Sequence, residues 1–120
     1  MADNIIKTKS FNFALRIIKL FQFLKDDKRE YVLSKQLLRS GTAIGALVRE
    51  SEQAESKKDF IHKLAIAQKE ANETDYWLEL LFQSDYLNDI QFQSIKSDIV
   101  EINKILASII ITSKQKFSTT

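Results

Sequence analysis

The sequence predicts an all-α fold, an antiparallel up-down-up-down four-helix bundle in which residues 1–120 form a single domain. Three observations predict it. The 120 residues contain no proline and only two glycines, too little punctuation for a sheet with its tight turns. Apolar residues recur at steps of three and four along four separate stretches, the period of a helix face. The segments between those stretches are short and polar, and short loops place consecutive helices side by side in opposite directions.

Residues 1–9 read as a flexible lead-in, and Ser10 reads as the N-cap of a first helix reaching about Lys25. Phe11, Ala14, Leu15, Ile18, Phe21 and Leu24 make its predicted core stripe. Phe13, Ile17 and Phe23 fall outside that stripe, so this helix is apolar over much of its circumference and is expected to touch more than one neighbour. Asp27 and Glu30 have the spacing of a capping box at the start of helix two. The predicted core of helix two is Leu33, Leu37, Ser40 or Gly41, Ile44 and Val48. Ser56 and Asp59 form a second capping box, opening a helix to about Ser84. Its seam of Phe60, Leu64, Ala67, Ala71, Thr74, Leu78 and Leu81 is regular enough for a helix roughly 40 Å long. The loop Asp85 to Asn88 leads to a last helix with Phe92, Ile95, Ile99, Ile102, Leu106 and Ile109 inward, fading by about Ser113, and residues 114–120 read as a frayed tail.

Both glycines, Gly41 and Gly45, lie one turn apart on helix two. An exposed helical Gly costs about 1 kcal/mol relative to Ala, so two on one face predict a helix packed closely against them. Arg39 and Arg49 border this strip about one turn before and after it.

Hydrophobic residues make up 44% and charged residues 28% of the chain, a globular balance that excludes a disordered tail or a membrane protein. There is no Cys, hence no disulfide or thiolate chemistry. The N-terminal residues lack a basic, then apolar, secretory pattern, which predicts a cytoplasmic protein. Formal net charge is only +2, but cations crowd the first half and acids dominate the stretch from Glu70 to Glu101. Such a distribution predicts helix faces that attract one another across the bundle.

His62 is the sole histidine. Its i, i+3 partner Asp59 resembles half of a bundle di-iron motif, which needs a second His, so no metal or cofactor is predicted. There is no Gly-x-Ser-x-Gly elbow, no Gly-rich phosphate loop and no small-molecule site evident. Glu50, Glu70 and Glu73 share their helices with cations, and with Arg39 and Arg49 they read as structural ion pairs or interface residues rather than as catalytic acids. The sequence therefore argues against an enzyme. Tyr76 and Trp77 are adjacent and must point in different directions, so at least one leaves the seam.

The block from Leu38 to Glu50, then Glu55-Ser with Asp59 to Leu64, then Ala67, Lys69 to Thr74 and Tyr76 to Leu81 resembles the family of proteins encoded in intervening sequences of bacterial large-subunit ribosomal RNA genes. Leu47 stands where that family often has Asn. The resemblance implies a four-helix bundle, a ring-like homo-oligomer that is commonly a pentamer, and a link to structured RNA. A related group serves as accessory subunits of reverse transcriptases. The first functional expectation is thus a homo-oligomer that binds RNA or a ribonucleoprotein, with Lys28, Arg29, Lys35, Lys57 and Lys58 near helix ends as its phosphate contacts. The alternative is a protein-interaction scaffold or accessory subunit, with no nucleic acid, that uses the surplus apolar residues of helix one and the small strip of helix two.

Overall fold

The computed structural model describes residues 2–118, with side chains described for residues 5–116. Among these residues there are four α-helices and no strands: α1 (Ala2–Asp26), α2 (Leu33–Ser51), α3 (Lys57–Gln83) and α4 (Asp89–Ser118). Each helix packs on two others in the cycle α1, α2, α3, α4, and the α1/α4 seam is the sparsest. The outcome is a rod of 53 × 22 × 20 Å. Contacting residues run in opposite order along each seam. Lys7 meets Glu52 while Ile17 lies against Gly41; Lys63 meets Glu50 while Thr74 meets Ser40. Asp75 meets Lys96 while Phe82 stacks on Phe92, and Lys9 meets Glu101 while Arg16 meets Asp98.

The expected core positions of α2, α3 and α4 are the ones that turn inward, with Leu33 and Phe60 partly buried and the others buried. The first helix differs. Its buried face is Ile6, Ser10, Phe13, Ile17 and Leu24, whereas Phe11, Leu15 and Ile18 are 47%, 47% and 39% exposed. Only Leu24 of the expected stripe is buried. The reason lies on α2: a Cβ at Gly41 would sit 2.9 Å from both Cγ atoms of Ile17, and one at Gly45 would sit 3.4 Å from the Ser10 carbonyl oxygen. The bare strip admits Ile17 and Ser10, and that fixes the rotation of α1.

Ser10 is therefore a buried residue inside α1, not its cap, and its hydroxyl donates to the Lys7 carbonyl. The helix already covers residues 2–9, and α4 continues through 114–118; Met1, Thr119 and Thr120 lie outside the described residues. The start of α2 also differs from the expected box. Arg29 takes a left-handed conformation, φ 55°, and the helix begins only at Leu33. Glu30 alone supplies the cap. Its carboxylate accepts the backbone N–H groups of Val32, Leu33 and Ser34 at 3.2, 3.0 and 2.6 Å, leaving few of the orphan donors of a helix start. At α3 the expected cap forms, with Ser56 accepting from the Asp59 N–H at 3.0 Å.

Candidate interaction surfaces

The small strip is an internal contact. Gly41 is buried and Gly45 half-buried beneath α1 of the same chain, so it is not the surface on which another copy could dock. Beside it, the hydroxyls of Ser40 and Thr74 meet at 2.9 Å in the α2/α3 seam, both residues fully buried. Neither was expected as a pair, since their contact depends on which helices are neighbours.

Next along the α2/α3 seam, Arg39 reaches across to α3. Its guanidinium bonds Glu70 at 3.1 Å and Glu73 through the other terminal nitrogen. Trp77 Nε1 donates to the same Glu73 carboxylate at 3.0 Å. The Trp77 hydrogen bond, followed by that of Arg39, holds the Glu73 carboxyl below its ordinary value, and Glu73 in turn raises Arg39. Tyr76 leaves the seam and is 57% exposed, its ring packed edge-on to Trp77 at 5.1 Å. Arg39, Glu70 and Glu73 thus form the structural ion pairs expected of them, and Glu50 pairs with Lys63. Arg49 does not join them: its guanidinium lies 5.2 Å from the centre of the Phe11 ring on α1, a cation–π contact at the edge of the outward α1 face.

The five expected phosphate contacts do not form one patch. Lys28, Arg29 and Lys35 flank the start of α2, while Lys57 and Lys58 follow its end. The 19 residues of α2 separate the two groups by about 28 Å. All five are exposed.

A cavity of about 350 Å³ opens at the chain-terminal end of the rod, lined by Ile6, Val48, Phe60, Leu64 and Ile109 with Ser51 and Glu52. Its polar groups are already engaged, Ser51 with the Val48 carbonyl at 2.6 Å and Glu52 with Lys7 at 3.2 Å. Among the described residues no group of three His, Cys, Asp or Glu side chains is placed to hold a metal, and no helix is long and apolar enough to cross a membrane.

These features define a class, an all-α four-helix bundle with ion pairs between its own helices. The profile of the 23S rRNA-intervening sequence protein family matches residues 2–108, and the chain belongs to that family. It is similar, at 58% identity and a TM-score of 0.91, to a crystal structure of a protein with unknown function from the S23 ribosomal protein family of Bacteroides thetaiotaomicron VPI-5482. The match covers 92% of this chain and 98% of that one. No protein of curated function matches.

Proposed function

We propose that this protein is a non-enzymatic, cytoplasmic, antiparallel up-down-up-down bundle that assembles with copies of itself and binds structured RNA or a ribonucleoprotein through basic surfaces repeated around the assembly. The observation that carries self-association is the outward row of Phe11, Leu15 and Ile18, spaced i, i+4 and i+7 and all exposed. Three apolar side chains in a contiguous row on one helix face mark a contact surface, unlike apolar residues exposed singly. Residues 4–25 contain five cations and no Asp or Glu, so two copies meeting row to row would bring like charges together. A head-to-tail contact with a more acidic face of the next copy avoids that repulsion, and such contacts form a ring when the rotation between copies closes, as in the pentamer that the family resemblance implies. Repetition around a ring lets modest phosphate contacts act together.

A scaffold without nucleic acid is the second reading. It is favoured by the ion-paired state of Lys7, Lys9, Arg16, Arg39, Lys63 and Lys96, which leaves fewer cations open to phosphate. The test is light-scattering mass and nucleic-acid content of protein purified at low salt, for the natural sequence and for Phe11→Ser with Leu15→Lys. A discrete oligomer that dissociates to helical monomers in the variant is expected, with RNA released steeply as salt rises. A monomeric parent protein, or a variant of unchanged mass, overturns the assembly; an oligomer that ignores structured RNA leaves the scaffold.

A further inference from the structure

The Asp75–Lys96 pair, 2.6 Å apart, fixes which sides of α3 and α4 face each other. Lys57 lies 18 residues before Asp75, and Lys114 lies 18 residues after Lys96. Eighteen residues are five turns of 3.6, so each lysine returns to the side its counterpart occupies. Because contacting residues run in opposite order on this seam, both steps lead to the same end of the rod. A seam that holds an ion pair in one half therefore places two lysines level with each other in the other half. Lys58 and Lys69 are 11 residues apart, close to three turns, and share the outer face of α3. Lys104 stands nearly level with Lys69 by the same register. All five lysines are exposed.

Lysines outnumber carboxylates on this surface. Residues 60–69 and 102–120 contain no Asp or Glu. Those nearest it are Asp59, which accepts the Glu55 N–H, Glu70 and Glu73, which bond Arg39 on the α2 side while Glu73 also feels the charge of Lys69, and Glu101, which pairs with Lys9 on α1. The remaining acids of α3 and α4, Asp75, Glu79, Asp89 and Asp98, lie in the loop-end half. We infer that the outer surface shared by the first half of α3 and the last half of α4, carrying Lys57, Lys58, Lys69, Lys104 and Lys114, is a binding surface for the phosphate backbone of RNA. The inference rests on the RNA-binding reading above and locates it. Exposed lysines are mobile point charges suited to backbone contact rather than to base readout. Lys58 and Lys69 lie about 16 Å apart along the helix, long enough for several successive phosphates rather than one.

The test is fluorescence anisotropy of the full chain with a labelled RNA stem-loop and with labelled oligouridine, over a range of salt. Lys69→Glu with Lys104→Glu is compared with Lys28→Glu with Arg29→Glu, after circular dichroism and light scattering show fold and assembly retained. The first pair is expected to weaken binding by about tenfold or more at low salt and to lower the slope of log affinity against log salt by roughly 1.4–1.8. The second pair is expected to keep most of the affinity. A first pair that binds like the parent, with loss in the second, overturns this surface and leaves RNA binding standing at the α1–α2 loop. A parent protein that binds neither RNA overturns both, and capture of polyglutamate by the same lysines would then assign the surface to an acidic protein.

Discussion

Replacing each glycine of α2 by alanine separates two effects that the structure assigns with opposite weights. Alanine gains about 1 kcal/mol of helix propensity at either position. At Gly41 the new Cβ would lie 2.9 Å from Cγ1 and Cγ2 of Ile17 and 3.3 Å from its Cδ1. Those Cγ atoms are not the free end of a flexible chain. They branch from a stiff Cβ, and Ile17 is fully buried, so relief requires α1 to move or a neighbour to leave its rotamer. Overpacking of this kind costs about 1–3 kcal/mol, which leaves Gly41→Ala net destabilised by roughly 1 kcal/mol. At Gly45 the nearest atoms are the Ser10 carbonyl oxygen at 3.4 Å and its carbon at 3.5 Å, ordinary contact distances. Gly45→Ala should therefore keep most of its propensity gain and be more stable than the parent by up to about 1 kcal/mol. The two variants should differ by about 1–2 kcal/mol in urea unfolding at one fixed protein concentration, roughly 4–8 °C in Tm for a chain of this size. Gly41→Ala equal to or more stable than Gly45→Ala would refute the account of how α1 is seated.

Three further outcomes follow from particular contacts. Burial raises the Glu30 carboxyl, but the backbone N–H groups of Ser34, Leu33 and Val32 and the Ser34 hydroxyl outweigh it and hold it below its ordinary value. A lowered carboxyl contributes stability that is present above the unfolded value and lost as pH falls through the folded one; Glu30→Gln should destabilise by about 1–3 kcal/mol near neutral pH and flatten the acid limb of stability against pH in urea titrations. Asp85 sits at φ 68° in the α3–α4 turn, so Asp85→Gly should stabilise by about 0.5–1 kcal/mol, read as a higher urea midpoint with an unchanged slope. Thr74→Val leaves the Ser40 hydroxyl buried without its cross-helix partner and should cost about 1–3 kcal/mol in the same assay, while adding Ser40→Ala should recover part of the loss.

The cores of α2, α3 and α4 were legible because each helix offers a single apolar stripe against a polar background. At α3 the start was legible too, since Ser56 and Asp59 carry the cap within four residues. In α1 two stripes compete, one through Phe11, Leu15 and Ile18 and one through Phe13, Ile17 and Leu24. Nothing within α1 decides between them, because the deciding residues, Gly41 and Gly45, are on another helix. The start of α2 was misread for a local reason: Arg29 adopts a backbone conformation that its residue type does not signal, and the chain reverses there before Glu30 can cap. The far end of α4 was misread because the helix outlasts its apolar run. Among site residues, the pairing of Arg39 with Glu70 and Glu73 followed from helical spacing and opposite charge. The lysine surface did not, since Lys57 and Lys114 come level with each other only once α3 and α4 are in register.

Seating Ile17 and Ser10 on the glycine strip has a consequence beyond α1. It turns the second apolar stripe outward at the level of residues 11–18, and the Lys9–Glu101 and Arg16–Asp98 pairs place that level opposite residues 98–101 of α4. Through the Asp75–Lys96 pair the same level corresponds to the acid-bearing part of α3. Copies packed side by side without axial shift would thus set an apolar, cation-bearing α1 beside a neighbour's acidic level, where charge favours contact. Lys57, Lys58 and Lys114 sit further along the rod, toward the chain termini, where α1 offers Lys7 and Lys9 rather than carboxylates, while Lys69 and Lys104 border the acid-bearing level. Like charge disfavours use of the terminal lysines as an assembly contact. On the proposed assembly, the uneven charge along α3 and α4 would direct self-association to one level of the rod and leave the terminal lysines for an anionic partner.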